Sequence, residues 1–158
     1  MTAKHPISVT VNGRKYEAEI EPRMLLVDFL RHELMLYGTH VGCEQGACGA
    51  CTVQYNGKAI KSCLMLALQV DGQEIMTVEG LAGTGPLHPV QEAFRNAHGL
   101  QCGFCTPGFL MVASALGTEG KALKGEALRK ELAGNLCRCT GYANVVTAVE
   151  KYLEETAS

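Results

Sequence analysis

One stretch of fourteen residues, which carries three of the chain's eight cysteines, decides how the N-terminal half folds; it reads His40-Val41-Gly42-Cys43-Glu44-Gln45-Gly46-Ala47-Cys48-Gly49-Ala50-Cys51-Thr52-Val53. These cysteines have the spacing C-x4-C-x2-C, and Cys63 follows with eleven residues between it and Cys51. Glycines between the cysteines allow the backbone to approach a bound group in conformations closed to other residues. The pattern predicts a loop that supplies three metal ligands, with a fourth arriving from the next structural element.

The spacing in this first set of cysteines is that of plant-type 2Fe–2S ferredoxins, in which four thiolates bind two irons, two thiolates on each. A structural zinc site with four cysteines is the alternative, although zinc sites use paired knuckles rather than a three-ligand loop. A thioredoxin-like redox pair at Cys48 and Cys51 is a further alternative. No suitable parallel strand precedes that pair, and the interpretation leaves the other cysteines without a role.

The second set of cysteines lies in the C-terminal half as Cys102-x2-Cys105 and Cys137-x-Cys139, with thirty-one residues between the two pairs. Two pairs on neighbouring helix ends suit a cluster held at a helix junction. Thr106 and Pro107 are predicted as the N-cap and first position of a helix, whose N-terminus would favour an anionic cluster. A zinc site and a redox pair at Cys102 and Cys105 remain alternatives here.

The N-terminal part alternates apolar and polar residues as strands do, in two runs around the Asn12-Gly13 turn. A helix of about three turns is predicted from apolar residues at helical spacing, namely Leu26, Phe29, Leu30, Leu34 and Tyr37. Asn56-Gly57 offers a second hairpin turn, and residues 75–78 can return as a strand. A small sheet packed on one helix gives a grasp-like α+β domain over residues 1–80.

After Gly80 the apolar spacing becomes helical, and the segment from Gly80 to Pro86 reads as a linker. Four amphipathic helices are predicted around Val90–Ala97, Phe109–Leu116, Ala122–Leu132 and Tyr142–Leu153. Phe109 and Met111 are expected in the core. Residues 81–158 are therefore predicted to form a four-helix bundle domain.

Composition excludes several classes of function. The chain has 158 residues with 14 basic and 16 acidic side chains, so it lacks the basic excess of a nucleic-acid-binding protein. Its apolar runs are too short for a membrane span, and Met1 to Pro6 has no signal-peptide character, so we expect a cytoplasmic protein. Thiols persist in that compartment, which favours metal ligation over disulfides. The five histidines are interpreted as surface or packing residues.

Three segments together resemble the small iron–sulfur subunit of the xanthine dehydrogenase, or molybdenum hydroxylase, family. They are residues 40–53, Gln101-Cys102-Gly103-Phe104-Cys105-Thr106-Pro107-Gly108, and Gly134-Asn135-Leu136-Cys137-Arg138-Cys139-Thr140-Gly141-Tyr142. The resemblance includes every cysteine and is strongest to free-standing bacterial subunits such as that of aerobic carbon-monoxide dehydrogenase. It implies a ferredoxin-like β-grasp domain followed by a four-helix domain, each with one 2Fe–2S cluster.

The resemblance also implies partners and an order of electron transfer. The cluster of Cys102, Cys105, Cys137 and Cys139 would lie nearer the molybdenum–pterin cofactor of a large subunit, with Gln101 and Cys139 approaching the pterin. The cluster of Cys43, Cys48, Cys51 and Cys63 would face the FAD of a medium subunit, in a dimer of heterotrimers. The implied function is electron transfer within an oxidoreductase. A two-site zinc-binding adaptor and a freely diffusing ferredoxin are the alternatives.

Overall fold

The computed structural model describes residues 3–157 and begins with a five-stranded mixed sheet. Its strands are β1 (His5–Val11), β2 (Arg14–Ile20), β3 (Thr52–Tyr55), β4 (Lys58–Lys61) and β5 (Glu74–Met76), in the order β2-β1-β5-β3-β4. The two predicted turns join β1 to β2 and β3 to β4, and Asn12 and Asn56 both adopt a positive φ there. The strand β5 lies parallel to β1 and antiparallel to β3. This closes the sheet of a β-grasp fold.

The first helix is shorter than predicted. Helix α1 (Leu26–Asp28) passes into a single wide π-helical turn, Phe29–Glu33, and Met35 then adopts a left-handed φ of 58° that ends it. Arg31 donates to the carbonyls of Tyr37 and Thr39, which turns the chain toward the cysteine loop instead of continuing the helix. The prediction of three turns extending to Tyr37 was therefore wrong.

The alternating apolar residues of the strands form the core of this first region, as predicted. Ile7, Val9, Val11 and Ile75 are buried against Phe29 and Leu30. The sheet and the short helix thus enclose one core, and they fix both ends of the loop that carries the first cysteines.

The C-terminal region is built from five helices: α2 (Val78–Ala82), α3 (Pro89–Asn96), α4 (Thr106–Thr118), α5 (Gly125–Leu132) and α6 (Tyr142–Thr156). The last four match the four predicted helices and share one core. Phe109 is buried in that core, and Met111, on the same helix, is also fully buried. Within residues 3–157 no helix has the length and apolar character needed to cross a bilayer.

The predicted linker begins later than expected, because Gly80 lies inside helix α2. A Cβ on Gly80 would stand 2.3 Å from the Asn12 Oδ1 atom, so this glycine serves close packing rather than flexibility. Asn12 and Thr77 exchange two hydrogen bonds, which fix the start of α2 against the β1–β2 turn. Within the predicted linker, the exposed part begins at Gly83.

Strand β3 and helix α4 form the main contact between the two regions. The Nε2 atom of Gln54 on β3 donates to the Met111 carbonyl and to Ser114 Oγ on α4, at 3.1 and 2.7 Å. Both side chains are buried. This contact places the start of α4, and with it the second cysteine set, beside the loop of the first.

Candidate metal centres

The first set of cysteines is assembled by the cysteine loop and the β3–β4 hairpin. Cys43 and Cys48 lie on the loop, Cys51 lies directly before β3, and Cys63 lies in a short 3-10 turn directly after β4. Because β3 and β4 pair with each other, the two chain segments flanking them are adjacent. Ser62 fixes this end of the hairpin by donating twice to the Cys51 carbonyl, through its amide and its hydroxyl.

The four thiols of the first set pair two by two. Cys43 interacts with Cys48, whose amide nitrogen lies 3.3 Å from the Cys43 sulfur, and Cys63 shares a hydrogen bond with Cys51. Among residues 3–157, no three or more Cys, His, Asp or Glu side chains converge as a site for a single metal ion. Two pairs are the arrangement that a two-iron cluster requires, since each iron binds two thiolates.

The local electrostatics differ between the two pairs. Backbone N–H groups of Gln45, Cys48 and Ala47 point at the Cys43 sulfur and lower the pKa of that thiol to about 7. Burial, together with the neighbouring Cys51, raises the pKa of Cys63 to about 11. N–H groups aimed at sulfur stabilise negative charge, which is what an anionic cluster needs from its loop.

The second set of cysteines lies where two connecting segments meet. Cys102 and Cys105 precede helix α4, and Cys137 and Cys139 lie between α5 and α6. Hydrogen bonds join Cys102 to Cys139 and Cys105 to Cys137. These thiols therefore also form two pairs, and Cys102, Cys105 and Cys137 line a cavity of about 340 Å³.

Burial varies within the second set in the same way as in the first. Burial and the neighbouring Cys137 raise the pKa of Cys105 to about 12, whereas the N–H group of Phe104 lowers the pKa of the exposed Cys102. The amide of Gly141 lies 3.4 Å from the Cys137 sulfur and donates to it. One edge of this set is open to solvent and the other faces the protein interior.

The start of helix α4 differs by one residue from the prediction. Cys105 is the N-cap and has helical backbone angles, so Thr106 and Pro107 are the first and second helical residues. A candidate ligand therefore lies at the positive end of the helix dipole, which favours negative charge there. Thr106 Oγ1 is buried without a hydrogen-bond partner among the described residues.

Two direct bridges join the loops of the two sets. The Leu136 amide donates to the Cys48 carbonyl at 2.8 Å, and Asn135 Nδ2 donates to the Gly49 carbonyl at 3.0 Å. A Cβ on Gly108 would stand 2.3 Å from the Gly49 oxygen, so helix α4 also requires a glycine at this point. Cys48 lines the same cavity as the second-set thiols, which places the two sets next to each other.

His40 and Phe104 form a third bridge that sequence reasoning missed. The His40 ring stacks on the Phe104 ring with 4.8 Å between centroids, and His40 Nδ1 lies 2.8 Å from the Phe104 carbonyl oxygen. The histidines were interpreted as surface or packing residues, and His40 is indeed a packing residue. Its partner, Phe104, was not predicted. Both residues lie inside the cysteine motifs, and that position was the available signal.

Gln101 lies on the surface beside the second set. It directly precedes Cys102, and its Nε2 atom lies 3.8 Å from the point where a Cβ on Gly141 would stand. Cys139, the other residue expected to approach a pterin, is half-buried on the same side, since it pairs with Cys102. The structure thus brings Gln101 and this edge of the second set to one face.

Comparison with known protein families gives two matches that together cover most of the chain. Residues 9–80 match the "2Fe-2S iron-sulfur cluster binding domain" and residues 77–150 match the "[2Fe-2S] binding domain". The gamma subunit of caffeine dehydrogenase from Pseudomonas sp. (strain CBB1) is 52% identical over 151 residues, which are 94% of this chain and 90% of that protein. The xanthine dehydrogenase iron-sulfur-binding subunit of Escherichia coli O157:H7 is 44% identical over 90% of this chain and 91% of that protein. The chain belongs to the iron–sulfur subunits of the xanthine dehydrogenase family.

A solved structure of a member of this family has the same fold. A chain of quinoline 2-oxidoreductase from Pseudomonas putida 86 superposes with a TM-score of 0.93 at 44% identity, over 99% of this chain and 97% of that one. The expected α+β architecture and the membership of an oxidoreductase complex are thereby confirmed. Nothing in these matches supports the zinc-binding alternative. As an iron–sulfur subunit of this family, the chain is an electron-transfer component of a molybdenum-containing hydroxylase.

Proposed function

We propose that this iron–sulfur subunit relays electrons one at a time from a molybdenum–pterin site in a large partner subunit to FAD in a medium partner subunit. The observation that carries the proposal is the contact between the two thiol sets, in which the Leu136 amide donates to the Cys48 carbonyl. A bound 2Fe–2S cluster supplies a carrier of a single electron. The protein supplies the distance, the potential and the exclusion of water.

The proposed ligands are all eight cysteines. Cys43, Cys48, Cys51 and Cys63 would hold the first cluster, and Cys102, Cys105, Cys137 and Cys139 would hold the second. The pairing of thiols within each set supports this assignment, as do the backbone N–H groups that point at Cys43 and Cys137. Cys51 and Cys63 are almost fully buried, so their side of the first cluster would be shielded from water.

The two partners are proposed to cover two different exposed surfaces of the chain. The large subunit is proposed to cover the face of Cys102, Cys139 and Gln101, where Gln101 and Cys139 would hydrogen-bond the pterin. The exposure of Gln101 and Cys102 supports this. The medium subunit is proposed to cover the first set near Leu64, whose side chain is 63% exposed although it directly follows a candidate ligand. A dimer of such heterotrimers in the cytoplasm completes the proposal.

The proposed division into domains follows the two sets, with residues 1–80 holding the first cluster and residues 81–158 the second. The two family matches, over residues 9–80 and 77–150, support a boundary close to residue 80. Helix α2 crosses that boundary and packs back on the first domain through Asn12 and Thr77.

Metal analysis tests the ligand assignment. Purified protein should contain about four iron and four acid-labile sulfide per chain, because each four-thiol set holds two of each. Two zinc per chain with no sulfide would contradict the proposal.

Two ligand variants test the order of the relay within the native complex. A Cys48→Ser protein that lacks the first cluster should let substrate reduce the second cluster while flavin stays oxidised. A Cys102→Ser protein that lacks the second cluster should block reduction of both the first cluster and flavin. Rapid freezing followed by electron paramagnetic resonance distinguishes these results, and normal reduction of the first cluster in the Cys102→Ser protein would overturn the order.

A further inference from the structure

Lys61 places a positive charge against the loop of the first cysteine set. It is the last residue of β4, and its Nζ atom donates to the Gly46 carbonyl at 2.6 Å. The side chain is half-buried, and the Leu64 side chain lies directly over Gly46, since a Cβ there would stand 2.5 Å from Leu64 Cδ1. The charge is therefore held at one point of the loop and is partly shielded from solvent.

The peptide group that Lys61 contacts also contacts a candidate ligand. The Gly46 carbonyl and the Ala47 N–H are the two ends of one peptide group, and the Ala47 N–H donates to the Cys43 sulfur. The preceding peptide group ends in the Gly46 N–H, which donates to the Cys63 sulfur. Hydrogen bonds in such a chain polarise one another, so a cation at the carbonyl end makes the N–H end a stronger donor.

We infer that Lys61 is a positioning residue that raises the reduction potential of the first cluster by polarising the Gly46–Ala47 peptide group toward the Cys43 sulfur. The inference rests on the proposed assignment of Cys43 and Cys63 as cluster ligands. Reduction adds one negative charge to the cluster, and a nearby cation stabilises the form with more negative charge. Among the described residues, Lys61 makes no such contact with the loops of the second set; its Nζ atom lies 3.6 Å from the point where a Cβ on Gly134 would stand.

The sign of this effect suits the direction of the relay. An electron passes from the second cluster to the first most favourably when the first has the higher potential. Lys61 therefore acts on the accepting cluster, and its loss should leave electrons on the second cluster at equilibrium.

The test is a redox titration of the purified native complex, followed by electron paramagnetic resonance, for wild type, Lys61→Met and Lys61→Arg. The signal of the first cluster is the one that a Cys63→Ser variant alters. Lys61→Met should shift the redox equilibrium of the first cluster about tenfold toward the oxidised form, which is about 59 mV for one electron. Lys61→Arg keeps a charged donor and should stay within about twofold of wild type, by the same conversion.

Lys58→Met is the matched control, because Lys58 lies exposed on the same strand and makes no hydrogen bond to the loop among the described residues. It should leave both potentials unchanged. Lys61→Gln keeps a hydrogen-bond donor but removes the charge, so it should behave as Lys61→Met does. With two neutral variants, the test does not depend on the folding of either one alone.

Three results would overturn the inference. The first is an unchanged potential in both neutral variants. The second is an equal shift of both clusters. The third is loss of the first cluster from both neutral variants, because Lys61 would then be a structural anchor of the loop. Absence of both cluster signals from the wild-type complex would instead contradict the proposed function itself.

Discussion

Asn135 places a neutral, buried amide where the two cysteine loops touch. In the described part of the chain, the Gly49 carbonyl accepts three hydrogen bonds. Two come from the hydroxyl and the amide of Thr52, and the third comes from Asn135 Nδ2 in the C-terminal domain. Asn135→Ala should destabilise the holoprotein by about 1 kcal/mol, since the Gly49 oxygen keeps its other donors. Asn135→Asp should cost more, because it buries a charge against a carbonyl oxygen.

The measurement is the rate at which iron–sulfur absorbance is lost in moderate urea. The Ala variant should bleach up to about fivefold faster than wild type, with the Asp variant faster still. Asn144→Ala is the control, because Asn144 makes a similar side-chain bond, to the His98 carbonyl, at an exposed position. Equal effects of the two alanine variants would show that the junction contributes nothing specific.

The thiols of the first set should differ in reactivity once iron is removed. Alkylation requires the thiolate, so Cys43 should react as pH rises through about 7, whereas Cys63 should stay protonated until pH approaches about 11. Mass spectrometry after iodoacetamide treatment at pH 6 to 9 measures both. Similar labelling of the two at pH 8 would mean that the loop does not keep this geometry without its cluster.

At the residue scale, the sequence predicted the role of a residue wherever that role follows from spacing within a motif. The thiols pair within each of the two predicted sets. Close spacing places Cys43, Cys48 and Cys51 on one short loop, whereas helices α4 and α5 separate the two pairs of the second set. Asn135, His40 and Lys61 were not predicted as contacts, since each meets a partner on another element. A single sequence carries no record of such pairs.

Gln54 shows the same limit at the scale of elements. It alternates with apolar residues on β3, yet it points into a buried contact with helix α4. Gln54→Met keeps the volume but removes both hydrogen bonds, and it should cost about 1–3 kcal/mol because the Met111 and Ser114 groups stay buried. Faster bleaching than in Gln73→Met, a variant in the loop before β5, is the expected readout; equal rates would contradict it.

Regular elements were predicted well and their ends less well. Both hairpins and all four bundle helices follow from local spacing, since turn glycines and apolar faces are short-range signals. Helix α1 ended early because the Arg31 side chain holds the carbonyls of the following turn. The linker starts later than predicted because Gly80 packs on Asn12, and this contact joins distant parts of the chain.

For the whole molecule, the contacts between the domains predict that the chain stays together after it is cut. Residues 83–87 are exposed, so a protease site inserted there should be cleaved in the holoprotein. The two fragments should co-elute in size-exclusion chromatography, because the Gln54, Asn135 and His40 contacts all cross the cut. A matched insertion in the exposed loop at 120–122, within the second domain, is the control. Fragments that separate without denaturant would show that the linker, rather than the interface, holds the domains together.

The buried cores within residues 3–157 are formed by this chain's own side chains, so the apolar pattern of the sequence predicts the fold of this subunit. The cysteine motifs indicated the family, and membership of that family predicted that the chain is part of a larger complex. The fold follows from local patterns and a few long-range contacts, whereas assembly of the complex also depends on the surfaces of the partner subunits.

The parallel pairing of β1 with β5 bears on how the chain matures during synthesis. All five strands have left the ribosome once residue 76 is exposed, so the first cysteine set can acquire iron while the C-terminal helices are still being made. The second set must wait for Cys139. Until Gly134 to Leu136 arrive, the carbonyls of Cys48 and Gly49 lack their later covering. The nascent chain is therefore expected to present the loop of the first cysteine set uncovered, and Asn135 and Leu136 cover that loop once the C-terminal helices are made.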